Sequence, residues 1–307
     1  MLAILTDFSA SRLISASVLT AIALLTPPAW AGDPFRPNNP HAIGDETEAA
    51  FEAIFKEGDY RSAESILVTA VQLEPNEPLA YAMKASFAYD GNDLDSMKDY
   101  ALKTREAAER LSAVDPLRSN LYIAVGHFLE GGYLLKQGSY LQAVGKTGMI
   151  FEYLDKATAM DPEDPEVNLL RGYLDLFLSR YIPFNQSEQV IKRFEQFAAP
   201  DYLKYRALAT TYRDLEQYDL AMLNLDKALA VTPNNPELLY LKGQFLRNEG
   251  RRQMEMGKLQ EAQIYYQQAL LKQDQLSRAL IVQLNHEYNA VVAEIEKLAQ
   301  VPDLKTF

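Results

Sequence analysis

The sequence predicts an all-α protein built from stacked helical hairpins, and three observations support this fold class. Apolar residues recur with the helical period from about residue 45 onward, and strand-like alternation is scarce. A pattern of small, apolar and aromatic residues ending in proline occurs twice with the same internal spacing, which predicts repeated hairpins. One copy consists of Gly58, Tyr60, Ala63, Leu67, Ala70 and Pro75, and the other of Tyr218, Ala221, Leu225, Ala228 and Pro233. Clusters of Asp, Asn and Pro separate the predicted helices, as expected for residues that favour helix starts and ends.

The spacing of these clusters indicates hairpins of unequal length. The prolines that close successive hairpins, Pro75, Pro116, Pro162, Pro200 and Pro233, lie 41, 46, 38 and 33 residues apart. In the second and third hairpins, the glycine before the second helix and the proline after it are separated by about two more helical turns than in the first hairpin. The sequence therefore predicts elongated second helices in both. The separation of Gly243 and Gly257 predicts an elongated first helix in the last hairpin.

The first 31 residues have the features of a secretory signal. Arg12 precedes an apolar run at 13–25, and Ala29-Trp30-Ala31 supplies the small residues of a cleavage site. The run is shorter than the roughly 20 residues of a spanning helix. We therefore expect cleavage after residue 31, with a retained anchor as the alternative and no transmembrane segment in the mature chain. Residues 32–44 are rich in proline and asparagine and are expected to form a disordered tether.

The repeated pattern resembles the tetratricopeptide repeat. The third copy carries Gly138, Tyr140, Ala143, Leu154, Ala157 and Pro162, and the sixth carries Gly243, Gly257, Leu259, Ala262, Tyr266 and Ala269. The fourth departs from the pattern, with Tyr181-Ile182-Pro183-Phe184 in place of the usual turn. The resemblance covers residues 45–274 and implies about six hairpins in a right-handed superhelix, an α-solenoid. The chain is also similar to a cyanobacterial family of exported repeat proteins without assigned activity.

Residues 275–307 are expected to form a capping helix and a tail. The segment from 277 to 300 mixes charged and apolar residues, and a repeat stack must end in a helix with one polar face. Docking of a partner on this helix is the alternative.

Composition excludes several functional classes. The net charge of −12 disfavours nucleic acid and anionic lipid, because both repel an acidic chain. The absence of cysteine excludes disulfides, thiolate metal sites and a cysteine nucleophile. His127 and Glu130 share a helix face without a third ligand nearby in sequence, and the acidic cluster at 90–95 fits a turn and helix cap better than a calcium loop. We therefore predict no catalytic residue, no cofactor and no metal.

The resemblance places the partner-binding groove on the first helices of the hairpins. It implies that the groove is lined by Arg206, Thr210, Arg213, Tyr240, Gln244 and Arg247. Arginine has a forked pair of donors that suits carboxylate or phosphate. The alternative is that these arginines pair with acids of the chain itself, such as Asp214 and Glu216.

Together these features predict an exported, non-enzymatic scaffold that binds a peptide or protein segment in its groove. By analogy with other exported repeat proteins, its expected role is assembly or maintenance of envelope or photosynthetic membrane complexes. The expected location is the periplasm, or the thylakoid lumen if the chain is cyanobacterial. A small-ligand-binding or enzyme-accessory protein of the cell envelope is the alternative, and the sequence does not specify the partner or the oligomeric state.

Overall fold

The computed structural model describes residues 32–179 and 187–300, so the predicted signal and the Tyr181–Phe184 turn lie outside the described residues. Within these ranges the chain forms thirteen α-helices and no strand, which confirms the all-α prediction. The helices are α1 (Asp45–Glu52, continued by a π-helical turn at Ala53–Glu57), α2 (Tyr60–Leu73), α3 (Pro78–Asp90), α4 (Leu94–Arg110), α5 (Pro116–Lys136), α6 (Tyr140–Met160), α7 (Pro165–Ser179), α8 (Ser187–Gln196), α9 (Asp201–Asp214), α10 (Tyr218–Val231), α11 (Pro236–Gln253), α12 (Met256–Leu270) and α13 (Arg278–Ala299). Successive pairs form hairpins 1 to 6, and α13 follows the last.

The Asp/Asn/Pro clusters mark the helix starts. Helices α3, α5 and α11 begin with proline, whose fixed φ suits the first helical position. The preceding residues Glu77, Asp115 and Asn235 accept hydrogen bonds from backbone N–H groups of the first turn, which would otherwise lack a partner. Pro116, which the spacing assigns to the end of the second hairpin, therefore begins the third.

Helix lengths agree with the predicted elongation. Helices α4 and α6 have 17 and 21 residues, and α11 has 18, compared with 14 for α2 and for α10. Helix α5 is also long, at 21 residues, which the glycine-to-proline spacing could not indicate because it measures only the second helix.

Small residues of the repeated pattern lie where the two helices of a hairpin cross. A Cβ atom on Gly243 of α11 would lie 2.5 Å from two ring carbons of Tyr266, a fully buried residue of α12. Helix α13 packs on this hairpin with Leu284 and Val291 buried and its opposite face exposed.

We expect the substitution Gly243→Ala to lower the free energy of unfolding by about 1–3 kcal/mol, since there is no room for the added methyl group between α11 and the Tyr266 ring. Gly257→Ala is the matched control, because a Cβ there meets no atom within 4 Å. That control should be neutral or slightly stabilising. Urea unfolding of both variants measures the difference, and equal midpoints would show that the crossing is not tightly packed.

The first and sixth hairpins touch. The Tyr60 N–H donates to the carbonyl oxygen of Gln275 at 2.8 Å, and the Tyr60 hydroxyl donates to Glu237 at 2.7 Å. Asn235 Nδ2 donates to the carbonyl oxygen of Lys56 at 3.2 Å. Gly58 permits this approach because its φ is +70° and a Cβ would lie 2.8 Å from Asn235 Oδ1. The stack is therefore closed between its two ends.

The prediction of a disordered tether at 32–44 is wrong for this structure. Phe35 and Ile43 are buried, and the Phe35 ring meets the Phe51 ring of α1 at 4.9 Å between centroids. Arg36 is 6% exposed and binds acids at the start of α7. These three side chains provide enough burial and charge pairing to order a segment whose composition otherwise favours disorder.

Candidate functional site

The inner layer of the stack is formed by the first helices of the hairpins and contains a buried ionic cluster. At its centre is Arg118 of α5, which is 1% exposed. Its Nη2 and Nη1 atoms donate to the two carboxylate oxygens of Glu77 at 2.7 and 3.0 Å. Its Nε atom lies 3.5 Å from Glu166 of α7, whose other oxygen accepts from the Tyr122 hydroxyl. One arginine thus joins hairpins 2, 3 and 4.

The N-terminal segment completes this cluster. Arg36 Nε and Nη2 donate to the two oxygens of Asp164 at 2.6 and 2.8 Å, and Nη2 also donates to Glu166 at 2.9 Å. Arg36 Nη1 donates to Asp33 at 2.9 Å. Farther along the segment, His41 Nδ1 lies 2.6 Å from an Asp115 oxygen. The segment therefore covers the starts of α5 and α7.

Negative charge exceeds positive charge in the cluster. Its two guanidinium groups face four carboxylates, those of Asp33, Glu77, Asp164 and Glu166. Burial raises the pKa of Asp164 above its ordinary value, although the bonds from Arg36 oppose the shift. Burial likewise raises the pKa of Tyr122, and the Glu166 charge adds to it. Such an arrangement holds hairpins together, because its guanidinium and carboxylate groups pair with one another.

In hairpin 5, the predicted groove residues have partners within the chain. Arg206 Nη1 donates to Glu237 at 2.7 Å, beside the Tyr60 hydroxyl. Arg213 binds the neighbouring Asp214 through two hydrogen bonds, which is the alternative that the sequence left open for it. The Thr210 hydroxyl donates to carbonyl oxygens of its own helix.

In hairpin 6, the predicted groove residues face α13. The Tyr240 hydroxyl donates to Glu287 at 2.7 Å, and Gln244 donates to the same oxygen at 2.8 Å. Arg247 binds both oxygens of Glu294 at 2.7 and 3.0 Å. Four hydrogen bonds, including one from Tyr266, lower the pKa of Glu287 against the effect of burial. The terminal helix thus occupies the position where the resemblance places a partner.

The sequence-level candidates for chemistry have structural roles. Glu130 binds Arg105 at 2.9 Å and Lys146, and lies 3.4 Å from His127. Burial and then the Arg105 charge lower the pKa of His127, which keeps this imidazole neutral at pH 7. Asp93 caps α4 by accepting from the Ser96 N–H, which confirms the predicted turn. Within the described ranges no three His, Asp or Glu side chains are grouped as metal ligands.

Two open clefts of about 390 and 520 Å³ lie between α10, α11 and α12. Both are lined largely by charged side chains, among them Asp219 and Glu249, and the Arg252 guanidinium stacks 3.9 Å from the centroid of the Tyr218 ring. An enclosed apolar pocket would suit a small organic ligand better.

The closed end of hairpin 3 carries an uncovered apolar surface that sequence reasoning missed. We name it the apolar tip and define it as Leu135, Tyr140, Leu141, Val144 and Met149, which are 40–91% exposed. On the same side of α6, added Cβ atoms on Gly145 and Gly148 would meet nothing within 4 Å. Among the side chains that the structure describes, the hydrogen bonds from α7 to α6 lie in the second half of α6, where Arg171 binds Asp155 and Thr158.

The apolar tip also differs in charge from the rest of the chain. No acidic residue occurs between Glu130 and Glu152, although the chain has 42 acids. This acid-free stretch was the available sequence signal. It contains Lys136, which lies over the Tyr89 ring, and Lys146, which is paired with Glu130. The outer face of this half-helix therefore presents aliphatic, aromatic and glycine surface without a free charge.

Comparison with known proteins identifies one repeat directly. A family model described as tetratricopeptide repeat matches residues 205–235, which contain most of α9 and all of α10. A chain in the crystal structure of the APC/C hetero-tetramer Cut9-Hcn1 is similar with 14% sequence identity and a TM-score of 0.37. The alignment covers 94% of this chain and 53% of that one, so this chain spans about half its length. No curated protein matches the sequence.

These findings show a tetratricopeptide repeat at hairpin 5, in the same helices that carry the second copy of the sequence pattern. Stacked repeats of this kind characteristically present surfaces that bind other proteins. Over residues 32–179 and 187–300, no helix combines the length and apolar content that crossing a bilayer requires.

Proposed function

We propose that this chain is an exported, non-enzymatic scaffold that binds a protein partner through the apolar tip of hairpin 3. Its proposed location is the periplasm, or the thylakoid lumen in a cyanobacterium, and its proposed role is assembly or maintenance of envelope or photosynthetic membrane complexes. The observation that carries the binding proposal is the apolar tip itself, because water-exposed aliphatic and aromatic side chains gathered at one site are typical of interaction surfaces.

The shape and chemistry of the apolar tip suit a helix with an apolar face. Leu141 is 91% exposed and Tyr140 is 67% exposed, so their burial by a partner would remove much apolar surface from water. Gly145 and Gly148 have no side chain that would hold a second helix at a distance. Tyrosine is enriched at the centres of interfaces, where its ring is buried and its hydroxyl finds a donor or acceptor.

The predicted groove is a weaker candidate because its cations are already paired. A partner carboxylate would have to displace Glu294 from Arg247 or Glu237 from Arg206. Removing one member of a partly buried ion pair leaves the other member with an uncompensated charge. Binding at the apolar tip requires no such exchange.

We expect the double substitution Leu141→Gln/Val144→Gln to reduce partner capture at least tenfold while the melting temperature stays unchanged, since both side chains already face water. The protein beginning at Gly32 is used as bait in extract of its native cell, and captured proteins are quantified by mass spectrometry. Leu271→Gln/Val282→Gln is the matched control, because these residues are 84% and 66% exposed and lie away from the apolar tip, Leu271 directly after α12 and Val282 on α13. That control should retain full capture.

The groove prediction is tested in the same experiment with Arg213→Ala/Arg247→Ala. We expect this variant to retain capture and to melt earlier, since Arg247 holds Glu294 on α13. Loss of capture in the arginine variant together with full capture in the Leu141→Gln/Val144→Gln variant would overturn the proposed site and favour the groove.

A further inference from the structure

The residue that would begin the mature chain lies against a carboxylate. A Cβ atom built on Gly32 would be 2.6 Å from Oε1 of Glu48, in the first turns of α1. The Gly32 N–H also donates a hydrogen bond to the Glu48 carboxylate, and this bond opposes the rise in the pKa of Glu48 that burial and the charge of Glu52 cause. The nitrogen that signal cleavage would turn into an amino group is therefore already directed at an acid.

The charged groups that act on Glu48 are mainly acids. Within the described residues Glu48 makes no ion pair, whereas Lys56 is paired with Glu52 at 2.9 Å. Burial, followed by the charge of Glu52 and then those of Asp45 and Asp33, raises the pKa of Glu48 above its ordinary value. The carboxylate therefore lies in an environment that would be stabilised by an added positive charge.

A second, independent feature of this region is an unsatisfied hydroxyl. Tyr202 of α9 is 6% exposed, and its hydroxyl oxygen has no hydrogen-bond partner among the described residues. Burial raises the pKa of Tyr202, and the nearby charges of Glu52, Glu48 and Glu57 add to it. A buried polar group without a partner is costly, and an ammonium group with three donors could satisfy it together with Glu48.

We infer that Glu48 forms the receptor site for the α-ammonium group that signal cleavage creates on Gly32. The inference rests on the exported state in the proposed function. Hydrolysis of the Ala31–Gly32 peptide bond consumes one water molecule, leaves a carboxylate on Ala31 and leaves an amino group on Gly32. That amino group binds a proton at neutral pH and then pairs with Glu48.

This site links processing to the packing of the N-terminal segment. Gly32 is followed directly by Asp33, which binds Arg36 of the buried ionic cluster. An ion pair at Gly32 fixes the free end of the segment, and Arg36 fixes it four residues later.

The test is a double-mutant cycle between the N-terminus and Glu48. Two forms of the chain are released from a cleavable fusion, one beginning at Gly32 and one beginning at Ala29, and each is made with Glu48 and with Glu48→Gln. We expect the form beginning at Gly32 to melt about 2–4 °C higher than the extended form, and Glu48→Gln to abolish this difference. Glu52→Gln is the control substitution and should preserve it, because Glu52 is already paired with Lys56.

A difference between the two forms that survives Glu48→Gln, or no difference at all, would overturn the receptor site. Because the cycle uses recombinant protein of defined ends, it does not depend on export or on a partner. Mass spectrometry of the N-terminus of protein from native cells tests cleavage before Gly32 separately. An intact signal there would contradict cleavage, and with it the ammonium group on Gly32 in the cell, while leaving the result of the cycle unchanged.

Discussion

Replacing Arg118 with methionine is expected to lower the free energy of unfolding by about 3–5 kcal/mol. The substitution preserves a long, unbranched side chain but removes the cation that, among the described residues, contacts Glu77. Glu77 would then be buried beside an apolar group, whereas Glu166 would keep its bond from Arg36. An uncompensated buried charge is far more costly than a lost surface pair. Chemical denaturation with two probes measures the loss and tests whether unfolding stays cooperative.

The control for this prediction is Arg61→Met, which changes an exposed arginine of α2 and should alter stability by no more than about 0.5 kcal/mol. The combined variant Arg118→Met/Glu77→Gln should recover part of the loss, because it removes the carboxylate charge that Arg118→Met leaves without a cation. If Arg118→Met unfolds at the same denaturant concentration as Arg61→Met, the cluster does not hold hairpins 2, 3 and 4 together.

Replacing Arg36 with methionine is expected to release the N-terminal segment rather than to unfold the whole stack. Asp164 and Glu166 would lose a cation, but they could regain solvation if residues 33–43 detached. A loss of about 3 kcal/mol in local stability would speed hydrogen exchange of the backbone amides in this segment roughly 100-fold. Hydrogen-exchange mass spectrometry resolves this peptide from the hairpins.

Amides within hairpins 5 and 6 serve as the internal reference for that experiment, since the acids that Arg36 binds lie in the N-terminal segment and at the start of α7. Arg110→Met is the matched control variant, because Arg110 is an exposed arginine that donates to Asn76 and to the carbonyl oxygen of Pro75. Unchanged exchange at residues 33–43 in Arg36→Met would show that Phe35 and Ile43 hold the segment without the ion pairs.

The hairpins were predictable from sequence because the signals for their ends are local. A proline at the first helical position and an Asp, Glu or Asn before it act within one helical turn, and the helices begin at Pro78, Pro116 and Pro236 accordingly. The helix period and the small residues at crossings are equally local, so the fold class and the approximate lengths follow from them.

The segment at 32–44 was mispredicted because its partners are distant in sequence. Arg36 binds Asp164, which lies 128 residues away, and proline-rich composition carries no information about such a contact. The signal that was present is the pair Phe35 and Ile43, two large apolar residues within an otherwise polar stretch. Glu166 lies in the first turn of α7, where an acid is favoured, and it is also fully buried.

The candidate site was only partly predictable for a related reason. Family resemblance specifies which helix faces are inward but not what else of the chain meets them. Arg247 could be placed on the inner side of hairpin 6, yet its pairing with Glu294 depends on where α13 packs. The apolar tip depends on the end of hairpin 3 remaining uncovered, and sequence indicates this only through the absence of acids between Glu130 and Glu152.

The contact between hairpins 1 and 6 changes how this stack should fold and deform. In an open solenoid each repeat contacts only its neighbours. The free energy of unfolding is therefore close to a sum of contributions from single repeats and from the interfaces between neighbours. Here the bond from Tyr60 to Glu237 closes a loop of 177 residues, whose entropy must be lost before that contact forms. Such closure raises contact order and makes the two ends of the array depend on each other. We therefore expect the hairpins to unfold in one cooperative step, with the end hairpins contributing to the stability of the central ones.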